Sequence, residues 1–296
     1  MPEVESNGIR LYYDTFGDRN ARPLVLVIGL ATPMVAWPEP FCRRLADAGH
    51  FVVRFDNRDC GRSGKMDEMP VPDLERLIGR KAMGMSLDVP YTLRDMAEDA
   101  LGLMDVLGLE KAHLCGSSMG GMIGQILALE HPERLASLIS FMSTTGEPDL
   151  PHSTPAARKA MMGMPPTDSR AAYQDYLVEL CRIFADDSEA YDPGVQAEIA
   201  GEMYDMGLYP IGFVRQMAAI LASEGRRDAL KSLKVPTLVI HGDRDTVVSV
   251  EHGKDTAAAI PGAKFLEIAG LGHGTAFPSL WDELAREIAA FTAQAG

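Results

Sequence analysis

Cys115-Gly116-Ser117-Ser118-Met119-Gly120-Gly121 stands between a short apolar run, Ala112 to Cys115, and an apolar stretch of helical character, Met119 to Leu129. Ser118 therefore lies in a Gly-x-Ser-x-Gly frame at a strand-to-helix turn. A hydroxyl at the apex of such a turn sits on strained backbone. Gly116 and Gly120, which lack a Cβ, let the strand and helix approach each other on either side. The helix start beneath Ser118 offers unpaired N–H groups and a partial positive charge where an oxyanion would develop. Gly-Ser-rich turns are common, so the weight of the motif comes from the strand before it and the helix after it. Ser117 is the rival hydroxyl, but its own frame has Cys115 and Met119 where the glycines belong.

Outward from this turn, strand-like and helix-like segments alternate. Gly8 to Phe16 reads as an antiparallel edge. Leu24 to Ile28 and Phe51 to Phe55 are near-continuous apolar runs of the kind buried on both faces of a sheet. Trp37 to Ala48 lies between them with helical spacing, and Met96, Ala100, Leu103 and Leu107 repeat that spacing before Gly108. Leu135 to Phe141 is the next strand. After a long interruption the alternation resumes with strand Thr237 to Ile240, helix His252 to Ala259, strand Lys264 to Ile268 and helix Leu280 to Ala293. Such alternation predicts an α/β fold, a mostly parallel sheet with helices on both faces. The interruption, residues 144–225, is helical, Met-rich and broken by prolines. It reads as a helical cap inserted into a core made of 1–143 and 226–296. Its methionines (Met161, Met162, Met164, Met203, Met206 and Met217) and aromatics are expected mostly to fill core, with some lining an apolar pocket.

A serine hydroxyl needs a base. Of the seven histidines, His113 lies in the strand before the turn, His131 ends a helix, His252 lies in a helix, and His50 and His152 have no convincing motif around them. His241 closes a strand and is expected to play a structural part. His273, in Gly270-Leu271-Gly272-His273-Gly274, follows the last strand, at the carboxyl edge where ligands collect in open α/β sheets. Its flanking glycines are expected to leave the loop free to aim the imidazole at Ser118. The segment Ile240-His241-Gly242-Asp243-Arg244-Asp245 follows an earlier strand and supplies two aspartates. Either can accept the Nδ1–H that orients such a base.

Together with Val27-Ile28-Gly29-Leu30 and Asp56-Asn57-Arg58-Asp59-Cys60-Gly61-Arg62-Ser63, these motifs cover almost the whole chain. It resembles the α/β-hydrolases of the group that includes aclacinomycin methylesterase and proline-iminopeptidase-like enzymes. The resemblance implies an eight-stranded-type sheet and a nucleophile–acid–base order of Ser118, Asp245 and His273, with Asp243 the lesser alternative. It also implies an oxyanion hole built from the backbone N–H groups of Leu30 and Met119. Many relatives have His-Gly where this chain has Ile28-Gly29, which removes a polar side chain from the rim but leaves the backbone donor. The 56–63 segment is expected to be structural, with Asp56 and Arg58 bracing its loop.

The remaining features set boundaries. Hydrophobic residues make up 46% of the 296, as in ordinary globular proteins, and the formal charge is −14. That charge repels phosphate backbones and anionic lipid, and no basic cluster offsets it, so neither nucleic acid nor membrane is an expected partner. Four scattered cysteines form no Cys-x-x-Cys pair, and the N-terminal residues lack an apolar core of the secretory type. A cytoplasmic protein is expected, with no metal or organic cofactor, a small-molecule ester as substrate, and self-association left open. The leading expectation is ester hydrolysis through an acyl-serine. Its rivals are aminopeptidase, amidase or perhydrolase (haloperoxidase-like) chemistry on the same triad, and a non-catalytic ligand receptor of the same fold. An aminopeptidase would need carboxylates in the cap to hold an ammonium; Glu179, Glu198 and Glu202 are the candidates, and solvated helix faces account for them equally well.

Overall fold

The chain enters through a hairpin, β1 (Glu3–Ser6) and β2 (Ile9–Phe16), and only these strands pair antiparallel with their neighbours. From β3 (Arg22–Val27) onward every pairing is parallel. Helix α1 (Glu39–Asp47) crosses to β4 (His50–Phe55); α2 (Leu74–Ala82) and α3 (Leu93–Val106) lead to β5 (Ala112–Ser117), and α4 (Met119–Glu130) to β6 (Leu135–Phe141). Four helices then intervene: α5 (Pro155–Met161), α6 (Arg170–Phe184), α7 (Pro193–Met206) and α8 (Pro210–Ala222). The short α9 (Arg227–Leu230) precedes β7 (Thr237–Gly242), α10 (Val250–Ala259), β8 (Lys264–Ile268) and α11 (Trp281–Thr292). The strand order is β1-β2-β4-β3-β5-β6-β7-β8 in a computed structural model that describes residues 2–295. The chain leaves β3 to one side for β4 and then to the other for β5, so the sheet switches direction there and opens a crevice at its carboxyl edge.

Strand side chains alternate between two cores, as a pleated strand dictates. Leu24 and Leu26 of β3, with Ile139 and Ile240, pack against Phe41 and Leu45 of α1 and Trp281, Leu284 and Ile288 of α11. Val25 and Val27, with Leu114 and Leu138, pack against Met96 and Leu103 of α3 and Ile123 and Leu127 of α4. Tyr173 and Leu177 of α6 and Ile199, Met203 and Met206 of α7 extend the first of these cores. Met162 and Met164 do not: they lie 85% and 81% exposed between α5 and α6. The expectation that the inserted methionines fill core therefore holds for α7 and fails at this loop, which begins where α5 ends at Met161. Among the described residues no helix is long and apolar enough to cross a membrane.

The loop after β4 is fastened from within. Asp56 accepts the Met34 and Arg62 N–H groups at 2.6 and 2.8 Å. Arg58 forms a two-pronged pair with Asp99 of α3, both contacts at 2.7 Å and both side chains buried. Asp56 and Arg58 thus brace the loop as expected.

Two buried histidines make the fold sensitive to acid. His113 on β5 bonds Ser137 at 2.8 Å, and its ring meets His50 edge-on at 6.5 Å. Burial, joined by the charges of His50, Arg22 and Lys111, pulls His113 from 6.5 down to about 4. His50 is lowered for the same first reason. The unfolded chain takes up these protons more readily than the folded one, so the unfolding free energy falls as pH drops from the unfolded value through the folded one. Urea unfolding should show His113→Asn losing less stability than wild type between pH 7 and pH 4.5, with a wild-type excess loss on the order of 2 kcal/mol. Parallel slopes would remove His113 as the source.

Candidate active site

Ser118 terminates β5 and opens α4 with φ +54° and ψ −118°, a left-handed backbone that a residue with a side chain adopts only under constraint. The constraints are visible. The Ser118 N–H donates to the Phe141 carbonyl at 2.9 Å, and the Ser143 hydroxyl donates to the Ser118 carbonyl at 2.7 Å. A Cβ on Gly120 would come within 2.1 Å of the Val27 carbonyl oxygen, and one on Gly116 within 2.2 Å of the Gly120 oxygen. Strand and helix therefore touch backbone to backbone, and both elbow glycines are required by space.

Three loops converge on the hydroxyl at the carboxyl edge. Ser118 Oγ lies 3.1 Å from His273 Nε2, and His273 Nδ1 lies 2.7 Å from Asp245 Oδ2. The other carboxylate oxygen, Oδ1, accepts the Val247 and Val248 N–H groups at 2.9 and 2.8 Å. Since the carboxylate only accepts, Nδ1 carries the ring proton and Nε2 is free to accept from Ser118. Burial works to raise the Asp245 carboxyl. His273 and His241 outweigh it and hold the group down to about 2, so it stays ionised at any ordinary pH. Asp243 is spent elsewhere: its Oδ1 accepts the Gly270 N–H at 2.7 Å.

Two details differ from the sequence-based expectation. His241 is more than a strand-closing residue. Its Nε2 lies 2.7 Å from the Val248 carbonyl and 3.3 Å from Asp245 Oδ2, with both side chains fully buried. A carbonyl can only accept, so Nε2 holds a proton, and that N–H also faces the acid. The histidine loop, in turn, is held and not free. The His273 N–H donates to the Phe184 carbonyl at 3.1 Å, and the Phe184 ring meets the imidazole edge-on. A Cβ on Gly272 would lie 2.3 Å from Ala185 Cα. The end of α6 runs directly against this glycine, so Gly272 serves close packing that fixes the loop. Thr246, beside the acid, donates its hydroxyl to the Ile183 carbonyl of the same helix at 2.9 Å.

The loop after β3 flanks the serine on another side. A Cβ on Gly29 would lie 3.3 Å from Ser118 Cβ and 3.8 Å from its Oγ. The next N–H, that of Leu30, has no partner among the described residues. Met119 occupies the first position of α4, where an N–H has no intrahelical carbonyl to meet. Leu30, next to Gly29, and Met119, next to Ser118, thus each carry a backbone N–H with no partner among the described residues. Ser117, the rival, is buried in β5. Of the three cap glutamates, Glu179 pairs with Arg182, and all three are exposed or nearly so on helix surfaces. No group of three metal-binding side chains is assembled among the described residues.

A family model described as alpha/beta hydrolase fold matches residues 22–278. The chain is similar to rhodomycin D methylesterase of Streptomyces peucetius, 28% identical with 98% of this chain and 97% of the relative covered. Among solved structures it is similar to the enol-lactonase from Burkholderia xenovorans LB400, with a TM-score of 0.72 and 26% identity over 99% of this chain and 100% of the other. It is likewise similar to Est816, an N-acyl homoserine lactone degrading enzyme, with a TM-score of 0.68 and 26% identity over 97% and 99%.

Proposed function

The chain belongs to the α/β-hydrolase fold family, and on that premise we propose that it is a carboxylesterase-type serine hydrolase working through an acyl-serine. The observation that carries this reading is the unbroken relay from Ser118 Oγ through His273 to the ionised Asp245, at 3.1 and 2.7 Å. As Ser118 Oγ attacks an ester carbonyl, its proton passes to His273 Nε2, and Asp245 stabilises the imidazolium through Nδ1–H. The carbonyl oxygen becomes an oxyanion facing the Leu30 and Met119 N–H groups. Collapse expels the alcohol, which takes the proton from Nε2. Water, deprotonated by the same nitrogen, then attacks the acyl-serine and releases the acid.

Residues 144–225 act in this reading as a cap over the crevice. A narrow cleft runs between Ala31, Pro33, Asp59 and Cys60 on the core side and Tyr173, Leu208 and Tyr209 on the cap side. The relatives named for a methyl ester and for lactones both cleave carboxylic-ester bonds, and that bond class is carried over here. A complete relay also argues against a receptor that has lost catalysis.

Purified protein should hydrolyse p-nitrophenyl acetate, butyrate and octanoate, with kcat/KM varying with acyl length, and should be labelled by a fluorophosphonate probe. Inertness toward every ester would remove the esterase reading. Turnover of the matching anilides in its place would point to amide cleavage.

A further inference from the structure

We propose that Gln216, on α8, is a positioning residue for the oxyanion hole, one that sets the direction of the Leu30 N–H. The inference rests on the reading of Ser118 and Leu30 given above and assigns that site a further residue. Gln216 is fully buried although it lies in the inserted segment. Its Oε1 accepts the Ala31 N–H at 2.6 Å, and its Nε2 donates to the Arg58 carbonyl at 2.7 Å. One partner can only donate and the other only accept, so the amide has a single workable orientation. It is a bridge between the loop after β3 and the loop after β4.

What the bridge holds is a strained peptide. Ala31 has φ +51°, a left-handed conformation that alanine avoids when unconstrained. The Leu30–Ala31 peptide is gripped on both edges: Gln216 takes its N–H, and the Thr32 hydroxyl donates to its carbonyl, the Leu30 oxygen, at 2.9 Å. On the far side, Asn57 Nδ2 donates to the Ile28 carbonyl at 3.0 Å. The unit between these anchors carries the Leu30 N–H, which has no partner among the described residues. Its aim is therefore dictated by its neighbours, and the Ala31 anchor is the only one that comes from the inserted helices. Arg215, beside Gln216, keeps α8 in place by reaching Asp59 at 3.3 Å and the Met69 carbonyl at 2.7 Å. Gln216 thereby reaches the reacting carbonyl through the backbone, without touching substrate.

A donor that is mis-aimed fails most where charge develops. Gln216→Met, close in size but with neither amide function, is expected to lower kcat on p-nitrophenyl butyrate by about ten- to a hundredfold while KM stays within about twofold. Affinity for phenylboronic acid, whose adduct on Ser118 mimics the tetrahedral intermediate, should fall by a similar factor. Gln216→Glu keeps an acceptor toward Ala31 and should recover part of the loss. A merely structural residue would move neither kcat nor boronate affinity in a variant that remains folded. Unchanged kcat, or a rise in KM alone, overturns the proposal. Should Gln216→Met prove unfolded by circular dichroism, Gln216→Glu carries the same two readouts, and failure of both to fold makes Gln216 a folding residue and overturns it too. Wild type and Ser118→Ala run alongside: an inert wild type defeats the hydrolase reading, whereas an active wild type with unaltered Gln216 variants defeats this inference alone.

Discussion

Ser118→Ala is expected to lower ester turnover by about ten-thousandfold or more, the scale on which losing the nucleophile of a serine–histidine–aspartate unit acts. The substitution removes one oxygen from a half-buried position and leaves the elbow intact. The left-handed backbone at 118 is held by the Phe141 carbonyl, the Ser143 hydroxyl and the close packing at Gly116 and Gly120, none of which depends on the Ser118 side chain. The variant should therefore fold like wild type and keep substrate affinity while kcat collapses. Ser117→Ala is the matched control. Ser117 is buried in β5, and its loss should leave the rate within a few fold of wild type, as expected of one small buried hydroxyl. Rates for both variants on p-nitrophenyl butyrate, with fluorophosphonate labelling, decide the matter. A Ser118→Ala enzyme retaining more than a hundredth of wild-type kcat would mean that another nucleophile does the work.

The parts of this fold that were legible in the sequence are those whose signal is local. Leu135 to Phe141 and Lys264 to Ile268 are read to the residue, because a short apolar or alternating run is a strand's own signature. The elbow is local in part: Gly116 records a backbone contact with Gly120 within one turn, whereas Gly120 answers to Val27 of β3. Elements that bury little leave little trace. β1 exposes three of its four residues to some degree, and α2 buries only Leu77, so neither stands out as a hydrophobic pattern.

Polar partners set by topology are invisible to any window along the chain. Asp99 meets Arg58 across 41 residues, and Gln216 meets Ala31 across 185; each reads in isolation as a residue on a helix surface. His241 was legible as the end of a strand, but its approach to Asp245 depends on how the following loop folds back over it. Gly272 carried the opposite risk. Among other glycines it suggests a supple loop, whereas the end of α6 fills the space its missing side chain leaves. The catalytic candidates were found because each sits just past a strand end. What holds the His273 loop is not legible in the same way, because it comes from the end of α6 in the inserted segment.

Asp245→Asn should cost about ten-thousandfold in kcat, nearly as much as losing the nucleophile, although the change replaces one oxygen by nitrogen. The reason lies in how the two carboxylate oxygens are used. Oδ1 faces two donors, the Val247 and Val248 N–H groups, so an asparagine must place its carbonyl oxygen there. Its NH2 group is then forced into the Oδ2 position, 2.7 Å from His273 Nδ1. An NH2 only donates, so Nδ1 must give up its proton, and the proton moves to Nε2. Nε2–H then points at Ser118 Oγ and can no longer accept from it. The same NH2 group meets the His241 N–H, donor against donor, and some loss of stability should accompany the loss of rate. Asp243→Asn separates the two aspartates. Asp243 accepts only the Gly270 N–H, a bond the amide oxygen of asparagine can keep, so kcat should stay within about fivefold of wild type. Steady-state kinetics of the pair, with thermal unfolding as the control for folding, test the assignment: comparable losses at both positions, or a larger one at 243, would show that Asp245 does not orient the base.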